Sequence, residues 1–338
     1  QIVSMKKNKI KFGVIGSGSW GTALIKILCE NNDEINWYVR NKDNIDFINK
    51  NSFNPNYLNS VKLNLKKIKI SDNINDVIYD SGVIIIAVPS EYVNAEMKKI
   101  NVDISDKIVM CALKGLVPET NLLFGEHMQK YFAISKDNFL VIGGPCHAEE
   151  VALERLSYLT IASSNINLCE QISEKFKCKY INVSSSDDVI GIEYASMLKN
   201  IFALAVGISN GLGYGDNYQS VLVSNSIKEM KRFISKRHKI KRNINDSAYL
   251  GDLLVTGYSS FSRNRMFGNM IGKGYTVKSA QMEMNMVAEG YYATKSAFKI
   301  KEHTENKLNT PIINAVHAVL YEGKNPKKVF AKLADKLN

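Results

Sequence analysis

The segment Phe12-Gly13-Val14-Ile15-Gly16-Ser17-Gly18-Ser19-Trp20-Gly21-Thr22-Ala23 decides the fold. Residues 9–15 form a short apolar run of strand character and residues 20–30 carry a helical pattern, with a GxGxxG turn between them. Each glycine has its own duty. Gly16 permits the tight turn, Gly18 lets backbone approach a pyrophosphate, and Gly21 allows the helix to pack close to the strand. The helix start, at Ser19 and Trp20, offers N–H donors and the positive end of the helix dipole. A lone GxGxxG arises by chance in glycine-rich turns, but one seated between a strand and a helix reads as a dinucleotide site.

Outward from that turn the same rhythm continues. Strand-like runs recur at 34–39, 68–70, 83–88, 107–112, 139–142 and 159–162, with helical patterns such as 91–100 and 167–176 between them. Short β-branched runs separated by helices imply parallel strands covered on both faces, hence a doubly wound α/β sheet. Around Asp187 the rhythm changes. Residues 189–208 are nearly all apolar, too long for a strand and suited to a buried helix. Helix-length patterns follow at 220–238, 245–254, 280–299 and 311–321, and no strand returns. The expected architecture is a Rossmann-type domain over residues 1–187, then an all-helical domain over 188–338; a chain of 338 residues accommodates two domains of ~100–200 residues each.

Composition excludes several classes. Hydrophobic residues make up 45% and charged residues 23%, with 6 Pro and 21 Gly, which fits a globular chain and not a disordered or fibrous one. No uninterrupted apolar run approaches the ~18 residues a membrane-spanning helix needs, so no integral membrane segment is expected. Forty-four Lys+Arg against 33 Asp+Glu leave a net charge of +11. The densest basic cluster, residues 228–242, lacks interleaved aromatics or a recognisable binding module, so a solvated surface is expected and nucleic acid is not. The 5 cysteines (Cys29, Cys111, Cys146, Cys169, Cys178) form no CxxC pair and no zinc or disulfide framework. The first residues lack the apolar stretch of a signal peptide, and a reducing cytoplasm is the expected setting. Phosphorylated metabolites would be drawn in by the positive field.

An NAD-specific site normally places an acid near the end of the second strand for the adenosine ribose. Here that strand runs into Arg40, whose guanidinium suits a 2′-phosphate or stacks on adenine, so NADP(H) is allowed alongside NAD(H). A strand-end arginine in water is the alternative.

Two lysines stand where ligands or burial are expected. Lys199 and Asn200 interrupt an otherwise apolar helix. A buried ammonium without a partner is expensive, its usual escape is a lowered pKa, and such a lysine handles protons near neutrality; a lysine snorkelling to the surface is the plain alternative. Lys114 follows the strand at 107–112, and Gly143-Gly144-Pro145-Cys146-His147-Ala148 follows the next one. Both lie at carboxyl ends of strands, where open α/β sheets bind ligands. Cys146 reads as a small lining residue, since no Cys–His–Asn/Asp arrangement accompanies it. The run at residues 207–215 is glycine-dense, suggesting close backbone packing or a ligand. The stretch from Gly251 through Asp252, Thr256 and Ser262 ends in Arg263 and Asn264, and the planar fork of Arg263 fits a phosphate.

Together these segments resemble the bacterial-type NAD(P)-dependent glycerol-3-phosphate dehydrogenases: GSGSWGTA at Gly16, ALKG at Ala112, GGPCHAEE at Gly143, LKNIFALAVGISNGLGYGDN at Leu198, GDLLVTGYSSFSRN at Gly251 and VAEG at Val287. The resemblance implies reversible reduction of dihydroxyacetone phosphate to sn-glycerol 3-phosphate, the backbone of glycerophospholipids. It implies that Lys199 is the acid/base, with substrate contacts from Lys114, Gly144, Cys146, Asn200, Asp252, Thr256, Ser262, Arg263 and Asn264. Cofactor contacts are implied for Ser19, Trp20, Arg40, Lys114, Ala148, Arg263, Val287 and Glu289, and no metal. One departure stands out: Ser or Thr is usual where this chain has Cys146, so a weaker thiol donor replaces a hydroxyl. A homodimer is expected as the commonest symmetric assembly.

Two other classes fit parts of the pattern. Another two-domain hydroxyacid dehydrogenase shares the glycine turn and a helical second domain. A non-catalytic redox sensor needs the turn but has no use for Lys199, Lys114 and Asp252 together.

Overall fold

The computed structural model describes residues 10–284, 288–302 and 308–338. Among them eight strands make one sheet in the order β3-β2-β1-β4-β5-β6-β7-β8. The strands are β1 (Phe12–Ile15), β2 (Ile35–Tyr38), β3 (Ile68–Ser71), β4 (Val83–Ile86), β5 (Ile108–Cys111), β6 (Phe139–Gly143), β7 (Ser157–Ala162) and β8 (Ile181–Ser186). Helices α1 (Ser19–Asn31), α2 (Lys42–Asn51), α3 (Ile74–Tyr79), α4 (Ser90–Met97), α5 (Phe124–Phe132), α6 (Ala148–Ala152) and α7 (Ile166–Glu174) are interleaved with them. Strands β1, β4 and β5 are buried along their whole length, as β-branched runs covered on both faces must be.

Pairing is parallel except between β6 and β7, which run antiparallel. That reversal and the strand β8 depart from the sequence expectation. The chain turns straight back from β6 through the short helix α6, and β8 (Ile-Asn-Val-Ser-Ser-Ser) is a mostly polar edge strand with too few apolar residues to announce itself. Strand order reverses between β1 and β4, and the crevice for ligands opens there, beyond the carboxyl ends of the strands.

The second half is helical: α8 (Val189–Gly211), α9 (Asp216–Arg237), α10 (Asp252–Tyr258), α11 (Arg263–Gly272), α12 (Val277–Glu283), α13 (Glu289–Glu302), α14 (Pro311–Leu320) and α15 (Pro326–Ala334). The single helix expected over 280–299 falls across two described helices, α12 and α13, and α15 lies beyond the expected elements. A wide turn of π geometry, Ser247–Gly251, precedes α10 and sets the direction of Asp252. Helix α8, the buried helix expected over 189–208, is long and apolar enough to cross a membrane by length and hydropathy, and it is buried almost throughout inside the protein. Helices α9, α10, α11, α13 and α14 surround it.

Helix α8 meets α11 through glycine. A Cβ on Gly207 or Gly211 would run into the carbonyl oxygens of Arg265 or Asn269, and a Cβ on Gly268 or Gly272 into those of Leu204 or Ile208. The glycine-dense run thus serves close backbone packing. Arg242, in the basic cluster, pairs with the buried Asp188 at 2.6 and 3.0 Å, and Asp188 caps α8 by accepting from Gly191 N at 3.0 Å.

Candidate active site

A cleft of ≈ 960 Å³ lies between the sheet's carboxyl edge and the helices of the second half. Its floor is the glycine turn. Gly16 has φ of +122°, and a Cβ there would meet the carbonyl of Ala87, while a Cβ on Gly21 would meet the carbonyl of Gly16. A Cβ on Gly18 would touch nothing within 4 Å. The turn is braced from behind: Trp37 Nε1 donates to Gly16 O at 3.0 Å, and Asn54 Nδ2 donates to Ser17 O at 3.0 Å and Thr22 Oγ1 at 2.8 Å. Helix α1 starts at Ser19 without a side-chain cap, which leaves first-turn N–H groups to face a ligand. This cradle fits the pyrophosphate of a dinucleotide.

The second half faces that floor with charge. Lys199 Nζ donates to Asp252 Oδ1 at 2.5 Å, and both residues are buried, at 5% and 2% exposure. Asp252 Oδ2 has no hydrogen-bond partner. Thr256 Oγ1 donates to Asp252 O at 2.6 Å, fixing the helix that carries the acid. Lys114 Nζ lies 5.6 Å from the centre of the Trp20 ring. Its pKa is lowered, first by burial and then by the nearby charge of Lys199. Arg263 Nη2 donates to Ser19 Oγ at 3.0 Å and stands 3.5 Å from Glu149 Oε1, joining the second half to the glycine turn. Three cations, Lys114, Lys199 and Arg263, thus stand within reach of one another in the cleft, an environment suited to a phosphorylated substrate.

Asparagines hold the frame. Asn200 Nδ2 donates to Lys114 O at 3.2 Å and to Ser196 O at 3.2 Å, and Asn264 Nδ2 donates to Asn200 Oδ1 at 2.9 Å. Asn264 Oδ1 in turn accepts from Gly290 N at 2.8 Å. Ser262 is buried and caps α11 by accepting from Arg265 N at 3.3 Å. Glu289 opens α13 and accepts from Ser90 N at 3.1 Å and Ser90 Oγ at 3.2 Å, so it sits over the start of α4.

Of the residues singled out from sequence, Gly16, Gly18, Ser19, Trp20, Arg40, Lys114, Ala148, Lys199, Asn200, Thr256, Ser262, Arg263, Asn264 and Glu289 line this one cleft. Gly21, Gly144, Cys146 and Asp252 stand outside the lining. Gly144, with φ of +100°, packs against the backbone of Tyr158 and Thr160, and Cys146 is buried within electrostatic reach of Lys114, Asp252 and Lys199. Burial pushes the Cys146 thiol up to about 12, so it remains a thiol. Val287 lies outside the described residues.

Sequence reasoning passed over two features of the cleft. His147 lines it, and burial together with the charges of Lys114 and Lys199 drives its pKa down to about 3, which keeps the imidazole neutral. Its only sequence signal was adjacency to Cys146. Beside Arg40, a buried Glu96 accepts from Tyr38 Oη at 3.2 Å and from Lys99 Nζ at 2.8 Å, and nothing in the pattern of α4 marks that glutamate. Among the described residues no group of three or more His, Cys, Asp or Glu side chains is arranged to hold a metal ion.

Comparison with known proteins gives a consistent result. Residues 11–169 match the family described as NAD-dependent glycerol-3-phosphate dehydrogenase N-terminus, and residues 188–331 match its C-terminus. Glycerol-3-phosphate dehydrogenase [NAD(P)+] of Bacillus subtilis (strain 168) is 35% identical over 316 residues, covering 93% of this chain and 90% of the relative. The enzyme of that name from Exiguobacterium sp. is 33% identical over 322 residues, covering 95% and 94%. The crystal structure of glycerol-3-phosphate dehydrogenase from Coxiella burnetii superposes with a TM-score of 0.88 at 28% identity, covering 96% of this chain and 98% of that one.

Proposed function

The chain belongs to the NAD-dependent glycerol-3-phosphate dehydrogenase family, and from that premise we propose how its cleft performs the family's reaction. The enzyme reduces dihydroxyacetone phosphate to sn-glycerol 3-phosphate, reversibly, with NADH or NADPH. The nicotinamide, when bound, supplies the hydride. Lys199, as the ammonium, donates a hydrogen bond to the ketone oxygen and transfers its proton there as the carbon is reduced. Asp252 holds the amine in place and compensates the ammonium charge before transfer. The developing alkoxide is stabilised most in the transition state, so Lys199 acts chiefly on turnover.

Arg263 and Lys114 take the substrate phosphate in this assignment, and their charges exclude neutral analogues. Asn200 and Asn264 orient the substrate by holding α8, α11 and α13 in register. Ser19, Trp20, Ala148, Arg263 and Glu289 flank the dinucleotide. The observation that carries the reading is the buried Lys199–Asp252 pair at 2.5 Å in the wall facing the glycine turn. Steady-state rates with dihydroxyacetone phosphate against NADH and NADPH in parallel test it, with free dihydroxyacetone as the control. Equal rates with and without the phosphate would refute the anion site.

Three further assignments belong to this proposal. The chain divides between residues 1–187 and 188–338, a reading supported by β8 ending at Ser186 and α8 starting at Val189. A cytoplasmic location fits five cysteines that are all free. A homodimer is the assembly we assign on symmetry grounds, to be checked by sedimentation.

A further inference from the structure

The part of the cleft beside the end of β2 holds a charge arrangement that the reduction chemistry does not use. Arg40 follows the end of β2 and is 74% exposed at its side chain. Its Nη1 lies 3.8 Å from Glu96 Oε1, within ion-pair reach but too long for a hydrogen bond. Glu96 comes from a different element, α4, and is 5% exposed while still lining the cleft. Its oxygens are taken up by Tyr38 Oη at 3.2 Å and by Lys99 Nζ at 2.9 and 2.8 Å.

In a doubly wound dinucleotide site the adenosine ribose lies beyond the end of the second strand, and an acid there selects NAD while an arginine accommodates the 2′-phosphate of NADP. This chain has both signs at that place. The arginine is supplied by the strand end and the carboxylate by α4. A buried carboxylate beside an incoming dianionic phosphate opposes it, and a guanidinium already drawn toward that carboxylate must leave it to serve the phosphate. Tyr38 and Lys99 occupy the hydrogen-bonding capacity of Glu96, so it has little left to offer a ribose hydroxyl.

We propose that Glu96 sets the balance between NADH and NADPH by competing with the 2′-phosphate for Arg40. Glu96 is a positioning residue: it acts through Arg40, and Lys99 weakens its hold by sharing the charge. Removing the carboxylate frees Arg40 for NADPH. Removing Lys99 leaves Glu96 undivided in its pull on Arg40.

The inference rests on the cofactor assignment above, and its test is dinucleotide binding alone, without substrate, followed by the fluorescence of the reduced cofactor. Glu96→Gln is expected to tighten NADPH by about two- to fivefold, the range an exposed ion pair is worth, while NADH is unchanged. Lys99→Met is expected to shift the ratio the other way and carries the test alone if Glu96→Gln does not fold. In an Arg40→Ala background Glu96→Gln should yield no gain.

An unchanged NADPH-to-NADH ratio in Glu96→Gln, an equal change for both dinucleotides, or a gain that survives Arg40→Ala overturns the proposal. The two layers separate cleanly. If Arg40→Ala weakens NADPH but Glu96→Gln is silent, only the role of Glu96 falls. If Arg40→Ala alters neither affinity, the placement of the adenosine end falls and takes this inference with it.

Discussion

Asn264 Nδ2 donates to Asn200 Oδ1 at 2.9 Å across the contact between α11 and α8. That bond is the middle link of a chain that starts at Lys114 O and ends at Gly290 N. It connects the strand end that carries one site lysine with three helices of the second half. Every group in it is a buried or half-buried amide with few alternatives, so deleting one member strands its neighbours.

Asn200→Leu is accordingly expected to destabilise the fold by about 1–3 kcal/mol through the partners it leaves unpaired. It should also lower kcat/KM. Urea unfolding followed by circular dichroism reads the first effect and initial rates the second. A variant of native stability would show that water replaces the lost bonds.

Lys199→Met keeps the length and apolar stem of the side chain and removes the proton. Turnover should fall by roughly 10²–10⁴-fold, the usual contribution of general acid catalysis, while NADPH affinity is retained. Single-turnover kinetics with saturating cofactor measure this directly. Near-normal turnover would transfer the acid role to Lys114.

Arg263→Lys preserves charge and loses the bidentate fork together with the reach to Ser19. The KM for dihydroxyacetone phosphate should rise roughly tenfold or more, with a smaller change in kcat. Unaltered KM would place the phosphate elsewhere in the cleft.

Glu193 gives a stability prediction away from the chemistry. Burial pushes its carboxyl from 4.5 up to about 8, against a hydrogen bond from Gly125 N that pulls it down. Between about pH 4.5 and 8 the folded chain therefore keeps a proton that the unfolded chain has released, and the stability Glu193 contributes is lost as pH rises through that window. Glu193→Gln retains an acceptor for Gly125 without titrating. Its unfolding free energy should fall less than that of the native protein between pH 5 and 8, with a difference of ~1–3 kcal/mol by the upper end, read from denaturant unfolding at each pH. Parallel slopes in the two proteins would show that Glu193 is ionised throughout.

The sheet's inner strands and the glycine turn were legible because each is a local pattern: Val83–Ile86 cannot be other than a covered strand, and Gly16 to Gly21 carry their spacing on the surface of the sequence. The reversed β7 and the polar β8 were not, since strand direction and edge position are settled by tertiary pairing. Lys199 stood out as a charge in an apolar helix, but its partner lies 53 residues on and only folding brings Asp252 to it. Glu96 left no trace at all. A glutamate in a short helix is ordinary until Arg40, Tyr38 and Lys99 are seen around it.

Helices that touch through main chain have no cushion of side-chain rotamers between them, and this gives the Gly207, Gly211, Gly268 and Gly272 contact a meaning for the chemistry. Lys199 rides on one helix and Arg263 on the other, so the span between the proposed proton donor and the proposed anion anchor is gauged by hydrogen atoms on α-carbons. Each of these four positions works as a spacer of zero thickness. A single methyl inserted at Gly207 would act as a shim, widening that span for a substrate only three carbons long while the dinucleotide floor, built on the sheet, stayed where it was. Tolerance to substitution along α8 and α11 should therefore follow distance from this contact and not distance from the substrate.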